Sequence, residues 1–354
     1  MRIVHLDDEP YDSGLTQYAV RAAAGLAGRG HAVEFWGLAG AAPLEAARRA
    51  GLETLGFRQP WLELAALRRA LEAFKPELMV AHTGSAQTLA AFLCGRSGPA
   101  VVRTRGDSRA LKRRPGAGLV WSRTRGFIAA NRRILKEFDE RFSTFGVPGS
   151  VVYEGLSDPG PVVPPPGGSA VFGIVARLDP VKGHAVLLEA LALAAKKRPE
   201  LRLTVVGRTE NLTARELLER AAVLGIADRV SFEGHVPDAF EYMRRCHAGV
   251  VASLGSEAVS RAAVEWMALG RPVIAAAVGC LPEYVSDGVT GRLVPPGDAA
   301  ALAAALLELG DDPLLRERQG RAARRRWEEL FRLETFLDAT ERAYTDALHP
   351  VPSR

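Results

Sequence analysis

Two glutamates, Glu257 and Glu265, stand eight positions apart in the segment EAVSRAAVE, with Ser260 and Arg261 between them and a Gly-Arg-Pro turn soon after. One continuous helix over this segment would separate them by about 12 Å of rise. A helix starting at Ser260, a residue type suited to the N-cap, would instead leave Glu257 in the preceding loop. Neither arrangement suits a hydrolytic carboxylate pair, whose members lie roughly 5–9.5 Å apart. Both suit contacts to separate parts of one elongated, hydroxyl-rich ligand. The plain alternative is a solvated helix face, where isolated glutamates usually sit.

A second chemical segment is ARLDPVKG, residues 176–183. Arg177 ends an apolar, strand-like run, and Lys182 and Gly183 precede a helical one. A guanidinium, an ammonium and free backbone N–H groups at one strand end are what a pyrophosphate requires. The alternative is a structural arginine paired with a carboxylate. A third feature is charge: Arg96 to Lys136 holds twelve cations, among them Lys112, Arg113 and Arg114, against the single acid Asp107. Leu111, Leu119 and Trp121 are interleaved with them. An anionic membrane surface, an anionic glycan and a merely solvated face all fit. Nucleic acid fits least, because no nucleic-acid motif accompanies the charge.

The elements that must position these residues alternate. RIVHL, HAVEFWG, ELMVAH and AVVRTR are strand-like, with helical patterns over residues 15–27 and 62–74. After SDPGPVVPPPGGS, which continues neither helix nor strand, the alternation resumes with AVFGIVARL, LRLTVVG, VSFEG, AGVVAS and PVIAAA. From Ala299 to about Leu348 the pattern is helical. This predicts an α/β protein with two doubly wound parallel-sheet domains and a ligand in the cleft between them, at the carboxyl ends of the strands. The expected boundaries are 1–157 for the first domain, 158–169 for a linker, 170–330 for the second domain and 331–354 for a helix returning to the first. The 354 residues, 47% hydrophobic and 25% charged with a net charge of +5, suit two soluble domains. No apolar run approaches the ~18 residues of a membrane span. The N-terminus turns acidic by Asp7, unlike a secretory signal, and the three cysteines lack metal spacing. A cytoplasmic location is expected, with peripheral contact at the inner face of the membrane.

Together these segments resemble the family-4 glycosyltransferases of GT-B fold, in which two Rossmann-like domains face a cleft. ARLDPVKG corresponds to the family's G-R-L-x-x-x-K-G, and EAVSRAAVE to its E-x7-E. ALGRPVIAAAVGCLPEYVSDGVTGRLVPPGD corresponds to its A-x-G-x-P-V-I, G-G-x-x-E and G-x-T-G-x-L-V-P-P-G-D segments in succession, and LAGRGHAVEFWG to its R-G-H-x-V segment. The resemblance covers most of the chain and is densest from about 170 to 300. It implies that Arg177 and Lys182, with Gly183, hold the donor diphosphate and that Glu265 binds the nucleotide ribose. It implies that Glu257 contacts the transferred sugar and that Ser260 and the following amides meet the phosphate. His82 would lie near the donor sugar, and Gly14 would keep half of a glycine pair whose other place is taken by Ser13. Departures are Ala176 for glycine, Ala258 and Val259 for a Gly-aromatic pair, Arg261 for an aliphatic residue, Cys280 for the second glycine of a pair and Glu154 for asparagine. Arg261 is expected to pair with an acid.

No Asp-x-Asp motif occurs, so no metal is needed to explain neutralisation of the diphosphate, and no cofactor is expected. The resemblance implies a retaining, metal-independent transferase moving a sugar from a nucleotide-diphosphate sugar to a cell-envelope glycan or glycolipid such as lipopolysaccharide core. A small soluble acceptor is the alternative within that class. A nucleotide-sugar 2-epimerase and a non-catalytic nucleotide-sugar binding protein are alternatives outside it.

Overall fold

The computed structural model describes residues 1–11, 13–107, 115–255 and 257–349. The chain forms two compact units, Met1–Gly155 with Glu334–Arg354, and Leu156–Leu333. In the first unit the strands are β1 (Arg2–Asp7), β2 (Ala32–Leu38), β3 (Glu53–Phe57), β4 (Leu78–Ala81), β5 (Ala100–Arg105), β6 (Thr124–Ala129) and β7 (Gly149–Val151). Its helices are α1 (Gly14–Gly28), α2 (Ala42–Arg49), α3 (Leu64–Phe74), α4 (Gly84–Cys94), α5 (Ala117–Trp121) and α6 (Arg132–Phe142). The second unit holds β8 (Val171–Val175), β9 (Arg202–Val206), β10 (Val230–Gly234), β11 (Ala248–Val251), β12 (Val273–Ala276) and β13 (Gly291–Val294). Its helices are α7 (His184–Ala195), α8 (Ala214–Val223), α9 (Ala239–Arg245), α10 (Arg261–Ala268), α11 (Leu281–Tyr284), α12 (Ala299–Asp311) and α13 (Pro313–Leu330), and α14 (Leu333–Leu348) ends the described chain.

The two sheets repeat one wiring. The first runs β3-β2-β1-β4-β5-β6-β7 and the second β10-β9-β8-β11-β12-β13. Every pairing is parallel, as the near-continuous apolar strands require when helices cover both faces. Strand order reverses between β1 and β4 in one sheet and between β8 and β11 in the other. In open sheets of this kind the crevice at the carboxyl ends beside such a reversal is where ligands bind.

The long helical stretch expected after Ala299 is cut twice, and both cuts have local causes. Asp312 takes an extended conformation and caps α13 by accepting from the Leu315 N–H, with Pro313 in its first turn. At the second cut, Leu156 N–H donates to Phe331 O and Leu333 N–H to Leu156 O. The helix α14 then packs within the first unit. Arg29 bonds Asp338 and Glu341 at 2.7 and 3.0 Å, and Tyr18 meets Phe336 edge-on. The proline-rich segment lies on the second unit: Arg324 bonds Asp158, Arg244 donates to Pro159 O, and the buried Arg271 donates to Val163 O.

Candidate functional site

In the second unit, the chain leaves β8 through Arg177 and turns sharply before α7. Asp179 accepts from the Val181 N–H at 2.9 Å and from Asn211 at 2.6 Å. The Val181 N–H leads, followed by Asn211 and the nearby charges of Arg177 and Lys182, in holding the Asp179 carboxyl below its ordinary range. Gly183 has φ +73°, and a Cβ there would lie 2.0 Å from Ala252 O, so only glycine lets this turn close against the end of β11. That close approach carries Lys182 to the segment after β11.

There Lys182 Nζ lies 2.5 Å from Glu257 Oε1, and Ser253 Oγ donates to the same oxygen at 2.6 Å. Glu257 is buried, 4% exposed, and sits in the loop ahead of α10 rather than on the helix. Its carbonyl accepts from the Cys280 N–H at 2.7 Å. Gly279, φ +58°, makes that possible, since a Cβ there would lie 1.9 Å from the same carbonyl. Glu265 is on α10, 7% exposed, and accepts from Arg261 Nε at 2.7 Å, the pairing expected of Arg261. Ser260 stands at the N-cap position of α10, but its side chain makes no capping hydrogen bond. Arg177 is half-exposed and bonds Glu210 at 3.3 Å, an acid shared with Arg208. The structure therefore brings Lys182, Ser253 and Glu257 into one cluster, and leaves Arg177 and Glu265 each with its own ion partner.

Sequence reasoning missed two parts of this edge. One is Ser253. The other is a cavity of about 200 Å³ at the carboxyl ends of β8, β9 and β10, walled by Leu178, Val205, Ala214 and Phe232 and rimmed by Arg208 and His235. The available signal was Gly207 at the end of TVVG: a Cβ there would lie 1.8 Å from Ala176 O, so glycine brings the two strand ends together.

In the first unit, His82 follows β4 and is fully buried. Its Nε2 lies 3.0 Å from His5 Nδ1 and its Nδ1 2.7 Å from Thr104 Oγ1, so both ring nitrogens are engaged. Burial first, then the charges of His5 and Arg103, push its pKa well below the usual value, and the ring is neutral. Burial likewise lowers His5 to about 3 and raises Asp7, at the end of β1, to about 7. Gly14 opens α1, where Ser13 caps by accepting from the Thr16 N–H, and nothing lies within 4 Å of where its Cβ would be.

The basic stretch divides. Arg103 and Arg105 are buried on β5, whereas Arg96, Arg125, Arg132, Arg133 and Lys136 are exposed. Arg109, Leu111, Lys112, Arg113 and Arg114 lie outside the described residues. Trp121, interleaved with the cations in sequence, is 6% exposed and packs among Phe127, Phe138, Phe142 and Phe145, so it is not available to a surface. The helix α6 supplies an aromatic ladder at i and i+4 that buries it. Among the described residues no helix is long and apolar enough to cross a membrane.

Comparison with known proteins places this geometry. Residues 13–146 match the model of the glycosyl transferase 4-like domain, and residues 169–312 match that of glycosyl transferases group 1. A D-inositol 3-phosphate glycosyltransferase of Streptomyces avermitilis is 41% identical over 181 residues, covering 49% of this chain and 39% of that protein. The match thus spans well under half the length of that relative. Anabaena HepE in complex with UDP has a TM-score of 0.83 at 22% identity, over 98% of this chain and 100% of that one. The lipopolysaccharide outer core galactosyltransferase WaaB has a TM-score of 0.78 at 16% identity, over 99% of both chains. Two family models matched in tandem and a shared fold lead to one assignment: the chain belongs to the family-4-type glycosyltransferases of GT-B fold.

Proposed function

We propose that the protein moves a sugar from a nucleotide-diphosphate sugar to a hydroxyl of a cell-envelope glycan or glycolipid, lipopolysaccharide core being one such acceptor. It acts in the cytoplasm at the inner face of the membrane, with retention of configuration and without a metal ion. The observation that carries this reading is the Lys182–Glu257–Ser253 cluster at the start of α7, beside Arg177 and a cavity whose wall begins at Leu178. The cavity's apolar walls suit a flat nucleobase. Arg177 and Lys182, with the Gly183 turn and with Ser260 at the head of α10, suit the diphosphate. Glu265 suits the ribose hydroxyls and Glu257 the sugar. His82 and Gly14 belong to the first unit; His82, with both nitrogens engaged, acts by shaping the edge of its sheet.

In this reading the bond from the anomeric carbon to the phosphate oxygen stretches toward an oxocarbenium ion. Lys182 and Arg177 stabilise the departing nucleoside diphosphate. The acceptor oxygen bonds to the anomeric carbon on the face being vacated, and its proton passes to the departing phosphate oxygen. A thermal-shift screen with UDP-, GDP- and ADP-sugars tests the donor, because a ligand bound only by the native state raises its stability. UDP, held by one structural neighbour, is the first to try. Turnover unchanged by EDTA and an α-linked product from an α-linked donor are expected. Loss of turnover on chelation, or release of no nucleoside diphosphate, would overturn the reading.

The two glutamates separate in the same assay. Glu265→Gln is expected to weaken binding of the nucleoside diphosphate by about 1.5–3 kcal/mol, the range for a hydrogen bond to a charged group. Glu257→Ala is expected to leave that affinity within twofold and to depress turnover, since its partner is the moving sugar. Calorimetry with the nucleoside diphosphate alone measures the difference; equal losses in both variants would contradict the division of roles.

A further inference from the structure

A short turn between β3 and α3 holds two large apolar side chains out of the fold. Trp61 is 48% exposed and Leu62 is 81% exposed. The turn is built to present them. Glu63 folds back, and its Oε1 accepts from the Arg58 and Gln59 N–H groups at 2.9 and 2.7 Å. That carboxylate is thereby spent on backbone donors, which hold it below its ordinary pKa range. On the neighbouring helix α4, Phe92 is 43% exposed and meets Trp61 edge-on, with ring centroids 5.5 Å apart. Arg123 also contacts Phe92, its guanidinium 5.7 Å from the ring centroid and donating to Ala91 O. Single exposed apolar residues are ordinary, but three in one contiguous patch at an ordered turn mark a contact surface.

The charges around the patch select its partner. Arg58, three residues before Trp61, and Arg96, four residues after Phe92, are exposed, and Arg123 lies over the Phe92 ring. Glu63, next in sequence to Leu62, stays ionised with its charge held against the Arg58 and Gln59 N–H groups, so the three arginines leave a net positive charge. Tryptophan and leucine ringed by arginines match a bilayer interface, where the ring and the aliphatic chain enter the headgroup level and the guanidiniums meet anionic lipid. We propose that Trp61, Leu62 and Phe92, with Arg58, Arg96 and Arg123, form the surface by which the protein docks on an anionic membrane. The proposal rests on the reading of the acceptor as a membrane-held glycan, and it places the docking face on the α3–α4 side of the first unit rather than at Trp121.

The test is co-sedimentation with vesicles of phosphatidylglycerol and phosphatidylethanolamine, against vesicles of phosphatidylcholine alone. The wild type is expected to sediment with the anionic vesicles at low salt and to be released as salt rises and the Debye length contracts. Trp61→Ser with Leu62→Ser is expected to lower partitioning at least tenfold, and Arg58→Gln with Arg96→Gln to remove most of the salt dependence. Both pairs belong to the first unit and all four side chains are exposed, so thermal stability and nucleoside diphosphate affinity are expected to stay at wild-type values. Failure of the wild type to sediment would overturn the proposal, as would equal binding to neutral vesicles or undiminished binding by the Trp61/Leu62 variant. A wild-type dimer that becomes a monomer in that variant would also overturn it, by assigning the patch to a second copy. Loss of nucleotide binding in the wild type would refute the proposed function while leaving the vesicle result to be read by itself.

Discussion

Lys182→Met is expected to lose about 10- to 150-fold in kcat/KM, the equivalent of about 1.5–3 kcal/mol for a hydrogen bond to a charged group. The same variant is expected to lose stability as well, because it strands a carboxylate that is 4% exposed and bonded on the same oxygen by Ser253. Removing one partner of a fully buried pair costs roughly 3–5 kcal/mol, and Lys182 keeps some solvent contact, so about 2 kcal/mol is the expected loss. Adding Glu257→Gln removes the stranded charge. The double variant is expected to recover most of the stability and none of the turnover. Denaturant unfolding and donor turnover on the single and double variants decide this. Wild-type kcat/KM in a folded Lys182→Met protein would take the lysine out of the site, and a double variant no more stable than the single would take the pair out of the stability argument.

The second large effect concerns pH and lies in the first unit. His5 is buried against Phe35 and His82, and burial lowers its pKa from 6.5 to about 3. Below pH 6.5 the unfolded chain takes up a proton that the folded ring refuses, so stability falls as pH falls. Between pH 6.5 and 5 this amounts to about 2 kcal/mol. Asp7, two residues along the same strand, does the opposite. Burial raises it from 3.8 to about 7, so the unfolded chain gives up its proton first and stability falls as pH rises from 4 to 7. From pH 5 to 7 that slope amounts to about 2 kcal/mol. In the wild type the two slopes oppose each other. His5→Phe, which keeps an aromatic ring against Phe35, is expected to become relatively more stable at pH 5 than at pH 7. Asp7→Asn is expected to tilt the other way. Urea unfolding of both variants at pH 5 and pH 7 measures the tilts, and tilts of the same sign would contradict this account of the burial.

Much of this protein was legible in its residues. Alternating strand and helix patterns predicted two parallel-sheet units, because a strand covered on both faces reads as an apolar run and its crossover reads at helical spacing. The segments ARLDPVKG and EAVSRAAVE marked the edge of the second sheet, since glycine turns and strand-end cations are local features. Of the two arrangements open for the glutamates, the structure has the helix beginning after Ser260.

What local sequence did not decide was which side chains meet and which are buried. Lys182 and Glu257 are 75 positions apart and touch only because Gly183 lets the α7 turn close on the end of β11. Arg103 and Arg105 count as surface charge in a basic run, yet β5 carries them inside. Trp121 and Trp61 are chemically alike as residues; α6 supplies Phe138 and Phe142 to cover one, and Glu63 folds the turn so that the other stays out. The sequence by itself determined the elements and their order, because propensity, periodicity and turn chemistry act over a few residues. Only the tertiary structure decided the ion pairs, the neutral histidine pair and the exposed patch, because desolvation and charge pairing depend on neighbours brought together from distant parts of the chain.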